Sequence, residues 1–203
     1  MTQPRRRHIV RRLYDWMLSW AESPHGTWAL FWLAFAESSF FPLPPDPLLM
    51  ALALGRRQRG VWYAVVCSVG SILGGLFGYV IGFFLWEHVR EFFYGWVPGF
   101  TPEREAWFRD SYHEQGFLIV FLAGFTPIPY KVFTLVSGAV GMNVFEFFAA
   151  SLVSRSARFL MIGGLIRAFG DPIRRFIDRW FDRLALGFAI LLVAGFVAVK
   201  FLL

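Results

Sequence analysis

The stretch that decides the fold is residues 37–47, ESSFFPLPPDP. It lies inside the apolar run 28–55, which is long enough to cross a bilayer, and it brings two acids and four prolines to membrane depth. One continuous helix cannot hold these prolines, because each removes an amide donor and clashes with the preceding turn. The stretch therefore predicts a chain that enters the membrane and turns back as a re-entrant hairpin.

The rest of the chain is also strongly apolar. Of its 203 residues 57% are hydrophobic and 20% aromatic, and the mean hydropathy is +0.51. Runs of about 20 apolar residues are typical of membrane spans. Two runs are uninterrupted, 61–85 and 184–203, and three carry charges or prolines, 28–55, 117–141 and 144–169. We predict a single all-α integral membrane domain over residues 1–203.

The net charge of +6 does not indicate a nucleic-acid partner. The basic residues lie at the ends of apolar runs, where they act as orientation signals, and not on a soluble module. Cys67 is the only cysteine and lies within a run, so it cannot form an intrachain disulfide.

Positive charge marks the cytoplasmic side of a membrane. Arginine clusters at residues 5–12 and 56–59 flank the first interrupted run, and both are cytoplasmic if that run is a hairpin. Segment 87–115 has three arginines against six acids, as expected outside, and segment 167–183 has five arginines against three acids, as expected inside. This order makes 117–141 a second hairpin, and it places the N-terminus in the cytoplasm and the C-terminus in the periplasm.

The flanking segments predict interfacial helices. Residues 1–24 form a basic amphipathic segment, and residues 171–203 combine an amphipathic helix with a last span. Thr101 and Pro102 are typical of a helix start, and Gly116 can end that helix. The chain up to residue 170 is then predicted to contain the order helix, hairpin and span twice, with both hairpins in the core, 25–170, which predicts an inverted repeat of the kind that transporters use.

The two predicted hairpins share a local pattern, PLPPD at 42–46 and PIPYK at 127–131, with the sign of the final charge inverted. Facing repeats would bring their tips together near the midplane. The predicted tip residues are Pro42, Pro44, Pro45, Pro127, Pro129 and Tyr130.

Ionisable residues within the apolar runs are the candidate site. A charge near the bilayer centre costs roughly 2.5–3.5 kcal/mol on insertion scales, so such residues usually have a function or a partner. Arg155 and Arg158 are one turn apart on one helical face. Two interpretations stay open: ion pairs that only fix the hairpins, or a polar path for a charged substrate. The path residues would be Glu37, Asp46, Lys131, Arg155 and Arg158, while Glu146, near the end of its run, suits a structural or interfacial role.

This chemistry suits a lipid with a phosphate headgroup. Guanidinium groups offer planar, forked donors that match phosphate oxygens, and Lys131 adds a point charge. Glu37 and Asp46 are carboxylates whose desolvation favours the neutral form, so both can bind and release protons. We therefore expect membrane lipids and protons as partners.

Three motifs together resemble the DedA family, the VTT-domain or SNARE-associated Golgi protein superfamily. They are E-S-x-F-F-P-x-P-P-D-x-L-L from residue 37, F-T-P-I-P-Y-K-x-F-T-x-x-S-G from residue 125, and S-R-S-A-R-F from residue 154. The resemblance covers about residues 25–170. It implies a bacterial inner-membrane lipid transporter or scramblase, acting on undecaprenyl phosphate or a phospholipid and driven in several members by the proton motive force.

The resemblance also implies that Glu37 and Asp46 are the family's embedded acids and that Lys131 is one of its hairpin basics. The chain departs from the family where an arginine is replaced by Lys131 and another by Phe125. Arg155 and Arg158 are the candidates to supply the missing positive charge.

A proton-coupled small-ion antiporter is the alternative function. An enzyme acting on a lipid phosphate is not expected, since all four histidines lie outside the apolar runs and no nucleophile–base spacing or metal-ligand cluster is present. We predict no cofactor and no metal. The lipid, the coupling ion and the oligomeric state stay open, and a homo-oligomer is compatible with the sequence.

Overall fold

The structure is a computed structural model, and it describes residues 20, 23–96, 101–126, 128–170 and 172. The predicted interfacial helix at 1–24 and the predicted amphipathic helix and last span at 171–203 therefore lie almost entirely outside the described residues, and Pro127 does too. Every regular element in the described part is helical, which agrees with the predicted all-α class.

The opening stretch forms a loop between two short helices. Helix α1 covers Gly26–Ser39 and helix α2 covers Asp46–Gly55, so they are about 21 and 15 Å long. Neither alone reaches across a hydrocarbon core of about 30 Å. Pro45 lies at the cap position of α2 and Pro47 in its first turn, where a missing amide costs no helical hydrogen bond. The prediction that this run is not one continuous helix is confirmed.

Two long helices meet the requirements of a membrane span. After a short 3₁₀ turn at Arg57–Arg59, helix α3 covers Gly60–Trp96, 37 residues, and the later helix α6 covers Val144–Phe169, 26 residues. Each contains a window apolar enough to cross a bilayer, as the runs 61–85 and 144–169 predict. Asn143 caps α6, because its side-chain oxygen accepts hydrogen bonds from the first-turn amides at 2.9 and 3.3 Å.

Between them lie helix α4, Pro102–Phe125, and helix α5, Tyr130–Ala139. Thr101 caps α4 as predicted. The predicted end at Gly116 is instead a kink: Gln115 has non-helical dihedral angles and the helix then continues. The kink frees the amide of Phe117, which donates to the Glu146 carboxylate at 3.1 Å. Glu146 thus makes a structural contact, as its position near the end of its run suggests.

Helix α3 is the surface on which the short helices pack. A methyl group at Gly74 would overlap the carbonyl oxygen of Phe35 in α1, and one at Gly82 would overlap that of Leu135 in α5. Glycine at these positions allows backbone-to-backbone approach, which is common where membrane helices associate. These two glycines of α3 therefore allow α1 and α5 to pack closely against one spanning helix.

Two buried apolar clusters complete the packing. One joins α1, α2, α3 and α6 around Leu30, Leu49 and Phe159, and the other joins α3, α4, α5 and α6 around Val120 and Phe147. Many large apolar side chains point outward instead, which suits a surface covered by lipid. The re-entrant path and the inverted relation of the two units stay predictions.

Candidate functional site

The first part of the site is an ion pair between α6 and α1. Arg155 Nη2 lies 2.7 Å from Glu37 Oε2, and the two side chains are 3% and 14% exposed. The guanidinium carbon lies 4.8 Å from the ring centre of Tyr130 and 4.7 Å from that of Phe159, so two aromatic faces also stabilise the cation. Arg155 is thus held by a carboxylate and by rings from two helices.

Two serines connect this pair to α3. Arg155 Nε donates to Ser71 Oγ at 2.6 Å, the hydroxyls of Ser71 and Ser38 are 2.7 Å apart, and Ser38 Oγ donates to Glu37 Oε2 at 3.1 Å. If Ser71 donates to Ser38, the four side chains form a closed ring of hydrogen bonds in which both serine protons and the Nε proton of Arg155 have acceptors. Such a satisfied network is stable in an apolar interior, whereas an unpaired member is costly.

The second part is an ion pair between α6 and the start of α2. Arg158 meets Asp46 with two nitrogens, Nη2 to Oδ2 at 2.9 Å and Nε to Oδ1 at 3.3 Å. Its remaining nitrogen, Nη1, donates to the backbone carbonyl of Thr126 at 2.7 Å. Asp46 follows the first loop and Thr126 begins the second, so one guanidinium holds both loops against α6.

Further hydrogen bonds connect helix α5 to the residues around the two ion pairs. Thr134 of α5 donates to the carbonyl oxygen of Ser38 at the end of α1, at 3.0 Å. The hydroxyl of Tyr130, which is fully buried, is hydrogen-bonded to that of Ser151 in α6. Helices α1, α2 and α5 therefore meet the long helices α3 and α6 at one buried polar centre.

Four of the five predicted path residues come together as these two pairs. The fifth, Lys131, lies in the first turn of α5, is half-buried, and makes no ion pair or hydrogen bond with its side chain in the part of the chain that the structure describes. The acids thus pair with the arginines of α6. The part that any of these residues takes in transport stays a prediction.

The predicted tip residues have different environments. Pro42 is exposed and Pro44 half-buried in the first loop, whereas Pro45 is fully buried. Pro129 caps α5, and Tyr130 is a packing residue inside the centre. Predicted tips therefore include both loop residues and residues of the helix starts.

Sequence reasoning did not identify the remaining partners of the arginines. Ser71 and Ser38 are hydroxyl residues in apolar runs, a weak signal because such side chains often bond only to their own helix. Thr126 takes part through its carbonyl oxygen, which every residue possesses. No property of the sequence distinguishes that acceptor.

The arrangement can exchange one anion for another. A phosphate offers the same paired oxygens to a guanidinium as a carboxylate does, so it can take the place of Asp46 at Arg158. Protonation of a carboxylate removes its charge and weakens the pair. No group of three or more potential metal ligands occurs among the residues described.

Comparison with known proteins agrees with this architecture. The family model of the VTT domain matches residues 41–168. A protein of Haemophilus influenzae is 32% identical over 95% of this chain and 98% of its own length, and one of Histophilus somni is 30% identical over 84% and 90%. A protein of the archaeon Methanocaldococcus jannaschii is 27% identical over 68% and 82%. All three are described only as uncharacterized, and no solved structure matches the chain. By the extent of these matches, the chain belongs to the VTT-domain family, also known as the DedA or SNARE-associated family.

Proposed function

We propose that this membrane protein moves a phosphate-bearing lipid, either undecaprenyl phosphate or a phospholipid, between the leaflets of the bacterial inner membrane. The observation that carries the proposal is the position of Arg158, which holds Asp46 of one loop and the carbonyl of Thr126 of the other. A headgroup that binds this guanidinium would compete with both contacts. Binding of substrate and release of the two loops would then be one event.

The surroundings of the two arginines support an exchange of anions. Arg155 and Arg158 are largely buried, so neither can remain without a counter-charge at acceptable cost. A phosphate that replaces a carboxylate preserves the charge balance at the guanidinium. The displaced carboxylate is left with no cation, and uptake of a proton would relieve that cost. Proton uptake by Asp46 or Glu37 is therefore the proposed coupling step.

Lys131 is the proposed first contact for the headgroup. Lys131 lies in the first turn of α5, close in sequence to the loop that begins at Thr126. Its ammonium group has no acidic partner in the described residues. An unpaired, partly accessible cation attracts a phosphate without first giving up a carboxylate. The headgroup would then pass from Lys131 to the guanidinium of Arg158.

The proposed orientation follows the charge of the connecting segments. The arginines at 56–59 lie on the cytoplasmic side, and the acidic segment around α4 on the periplasmic side. The hairpin of α1 and α2 and the hairpin of the second half of α4 with α5 would enter from opposite faces and meet at the arginines of α6. Both leaflets would then have access to the same centre.

Reconstitution in sealed liposomes tests the proposal. Fluorescent lipids with and without a phosphate headgroup are placed in both leaflets, and exchange is followed with a membrane-impermeant quencher. We expect exchange of the phosphate-bearing lipid above the rate of empty vesicles, and its loss in the Arg155→Ala/Arg158→Ala variant.

The matched control is Glu87→Gln/Arg90→Gln, which removes an exposed ion pair of 3.3 Å elsewhere on α3. It should exchange lipid at the wild-type rate. Wild-type protein that does not exceed empty vesicles for several lipid classes would refute the proposal. Proton-coupled cation flux that needs Glu37 and Asp46, without lipid movement, would instead establish the antiporter.

A further inference from the structure

A second polar region lies where α1 begins and α2 ends, at the opposite end of these two helices from the ion pairs. A cavity of about 250 Å³ opens between the start of α1, the end of α2 and the start of α3. Asp46 and Gly55 are the two ends of α2, about 14 Å apart along the helix. Because Gly55 lines the cavity and Asp46 belongs to the ion pairs, the cavity is separate from the buried centre.

Positive charge dominates the cavity. Arg56 and Arg59 line it, both are exposed, and neither makes an ion pair in the described part of the chain. Among the described residues, none that lines the cavity is acidic. The walls therefore offer two guanidinium groups without a resident counter-charge, which is an environment for an anion.

The start of α1 adds a partial positive charge. Ser23, Pro24 and Thr27 line the cavity. The helix that begins at Gly26 is 14 residues long, has no acid in its first turn, and receives no side-chain cap from His25. The amides of His25 and Gly26 donate to Ser23, so the helix dipole is the main contribution of this end, and it favours an anion.

Tyr63 adds an independent polar group to the cavity. This residue lines the cavity, is only 3% exposed, and its hydroxyl makes no hydrogen bond within the described residues. The hydroxyl oxygen is not among the fully enclosed, unpaired atoms of the described residues, so the small exposed part of this side chain faces the cavity, where a polar group favours a hydrogen-bonding partner. An anion held in the cavity by the arginines would lie beside this hydroxyl and would accept its hydrogen bond.

We infer that this cavity binds a phosphate group. Arg56, Arg59 and the hydroxyl of Tyr63 would hold it, close to the start of α1. Phosphate fits because it accepts several hydrogen bonds at once and matches the guanidinium fork. The volume is somewhat below the 300–1,000 Å³ usual for drug-sized ligands, so it suits a headgroup or a free phosphate and not a whole lipid. Binding here does not require the transport proposed above.

Calorimetric titration of the full chain in non-ionic detergent tests this site. The probes are short-chain phosphatidate, diacylglycerol of the same chain length, and inorganic phosphate. We expect phosphatidate to bind and diacylglycerol not to bind. If inorganic phosphate also binds, the site accepts the free anion, and if only phosphatidate binds, it is a headgroup site; both results support the inference.

Three variants locate the binding. Loss of one neutral hydrogen bond in Tyr63→Phe should weaken it about 3- to 10-fold, and loss of a charge-assisted one in Arg59→Gln about 10-fold or more. Arg90→Gln removes one positive charge some 40 Å along α3 from Tyr63 and should leave the affinity unchanged. The melting temperature of Tyr63→Phe should not fall, since the hydroxyl has no partner to lose.

Two results would overturn the inference. One is the absence of binding of either phosphate probe to the wild-type protein. The other is binding that Tyr63→Phe leaves unchanged, even if Arg59→Gln weakens it, because that pattern describes attraction to surface charge and not a site in the cavity. An affinity that falls equally in Arg90→Gln would contradict it for the same reason.

Discussion

Loss of one partner of the Arg155–Glu37 pair should cost far more stability than loss of an ordinary polar contact between membrane helices. The two side chains are 3% and 14% exposed and meet at 2.7 Å. Removal of one partner from a buried ion pair costs about 3–5 kcal/mol, because the other charge is left uncompensated. Arg155→Met should therefore destabilise the protein by about that amount, and Glu37→Gln by a similar amount.

The double variant Glu37→Gln/Arg155→Met should recover most of the loss. Replacement of both charges by neutral groups of similar size is often close to neutral. The predicted coupling energy of the double-mutant cycle is at least about 2 kcal/mol. This exceeds the average of about 0.6 and the maximum of about 1.7 kcal/mol measured for hydrogen bonds between membrane helices.

Reversible unfolding in mixed micelles, followed by circular dichroism, gives the four free energies of the cycle. The exposed pair Glu87 and Arg90, with side chains 64% and 44% exposed, is the control and should couple by less than about 0.5 kcal/mol. A coupling of about 0.6 kcal/mol or less for Glu37 and Arg155 would refute the reasoning. It would mean that the pair is solvated and does not hold α1 to α6.

Three further predictions concern other parts of the molecule. Gly74→Ala should lower stability by about 1–3 kcal/mol, because the methyl group overlaps the carbonyl of Phe35, whereas Gly164→Ala, with open space around it, should leave the melting temperature unchanged or raise it. Burial would by itself raise the pKa of Glu105, but hydrogen bonds from a tyrosine, a tryptophan and an arginine bring that pKa below its usual value. The stabilisation that Glu105 provides is then complete above the unfolded pKa of about 4.3 and is lost as the pH falls through the lower folded pKa. The melting temperatures of Glu105→Gln and wild type should therefore differ at pH 7, and the difference should shrink as the pH falls through the folded pKa. A difference that does not change with pH would contradict this. Lys131→Met should leave the melting temperature within about 1 °C of wild type, since the lysine side chain has no partner to lose in the described residues. The same variant should slow the exchange of phosphate-bearing lipid several-fold, because the proposed first contact for the headgroup is lost. An unchanged exchange rate would remove Lys131 from the path.

Local chemistry explains which features the sequence could predict. Prolines at 42–47 forbid a continuous helix whatever surrounds them, so the break between α1 and α2 follows from the residues alone. Asn143 and Thr101 mark helix starts through hydrogen bonds to amides two or three residues away. These features need no knowledge of the rest of the fold.

The partners of the buried charges depend on helix register and could not be read in the same way. Tyr130 points inward and is fully buried, so the next residue, Lys131, is turned by about 100° around the helix and is only half-buried. The kink at Gln115 is compatible with the structure because Glu146, 29 residues beyond Phe117, accepts the amide that the kink frees. Such contacts arise only after α4, α5 and α6 have packed.

The transport rate of a neutral double variant, Asp46→Asn/Arg158→Met, in sealed proteoliposomes tests the central claim most directly. If the pair only fixes the hairpins, replacing both charges keeps the fold and the activity. If Arg158 must bind a phosphate, the variant remains folded, with a stability within about 1–2 kcal/mol of wild type, but exchanges phosphate-bearing lipid no faster than empty vesicles. Folded protein that exchanges this lipid at the wild-type rate would contradict the account.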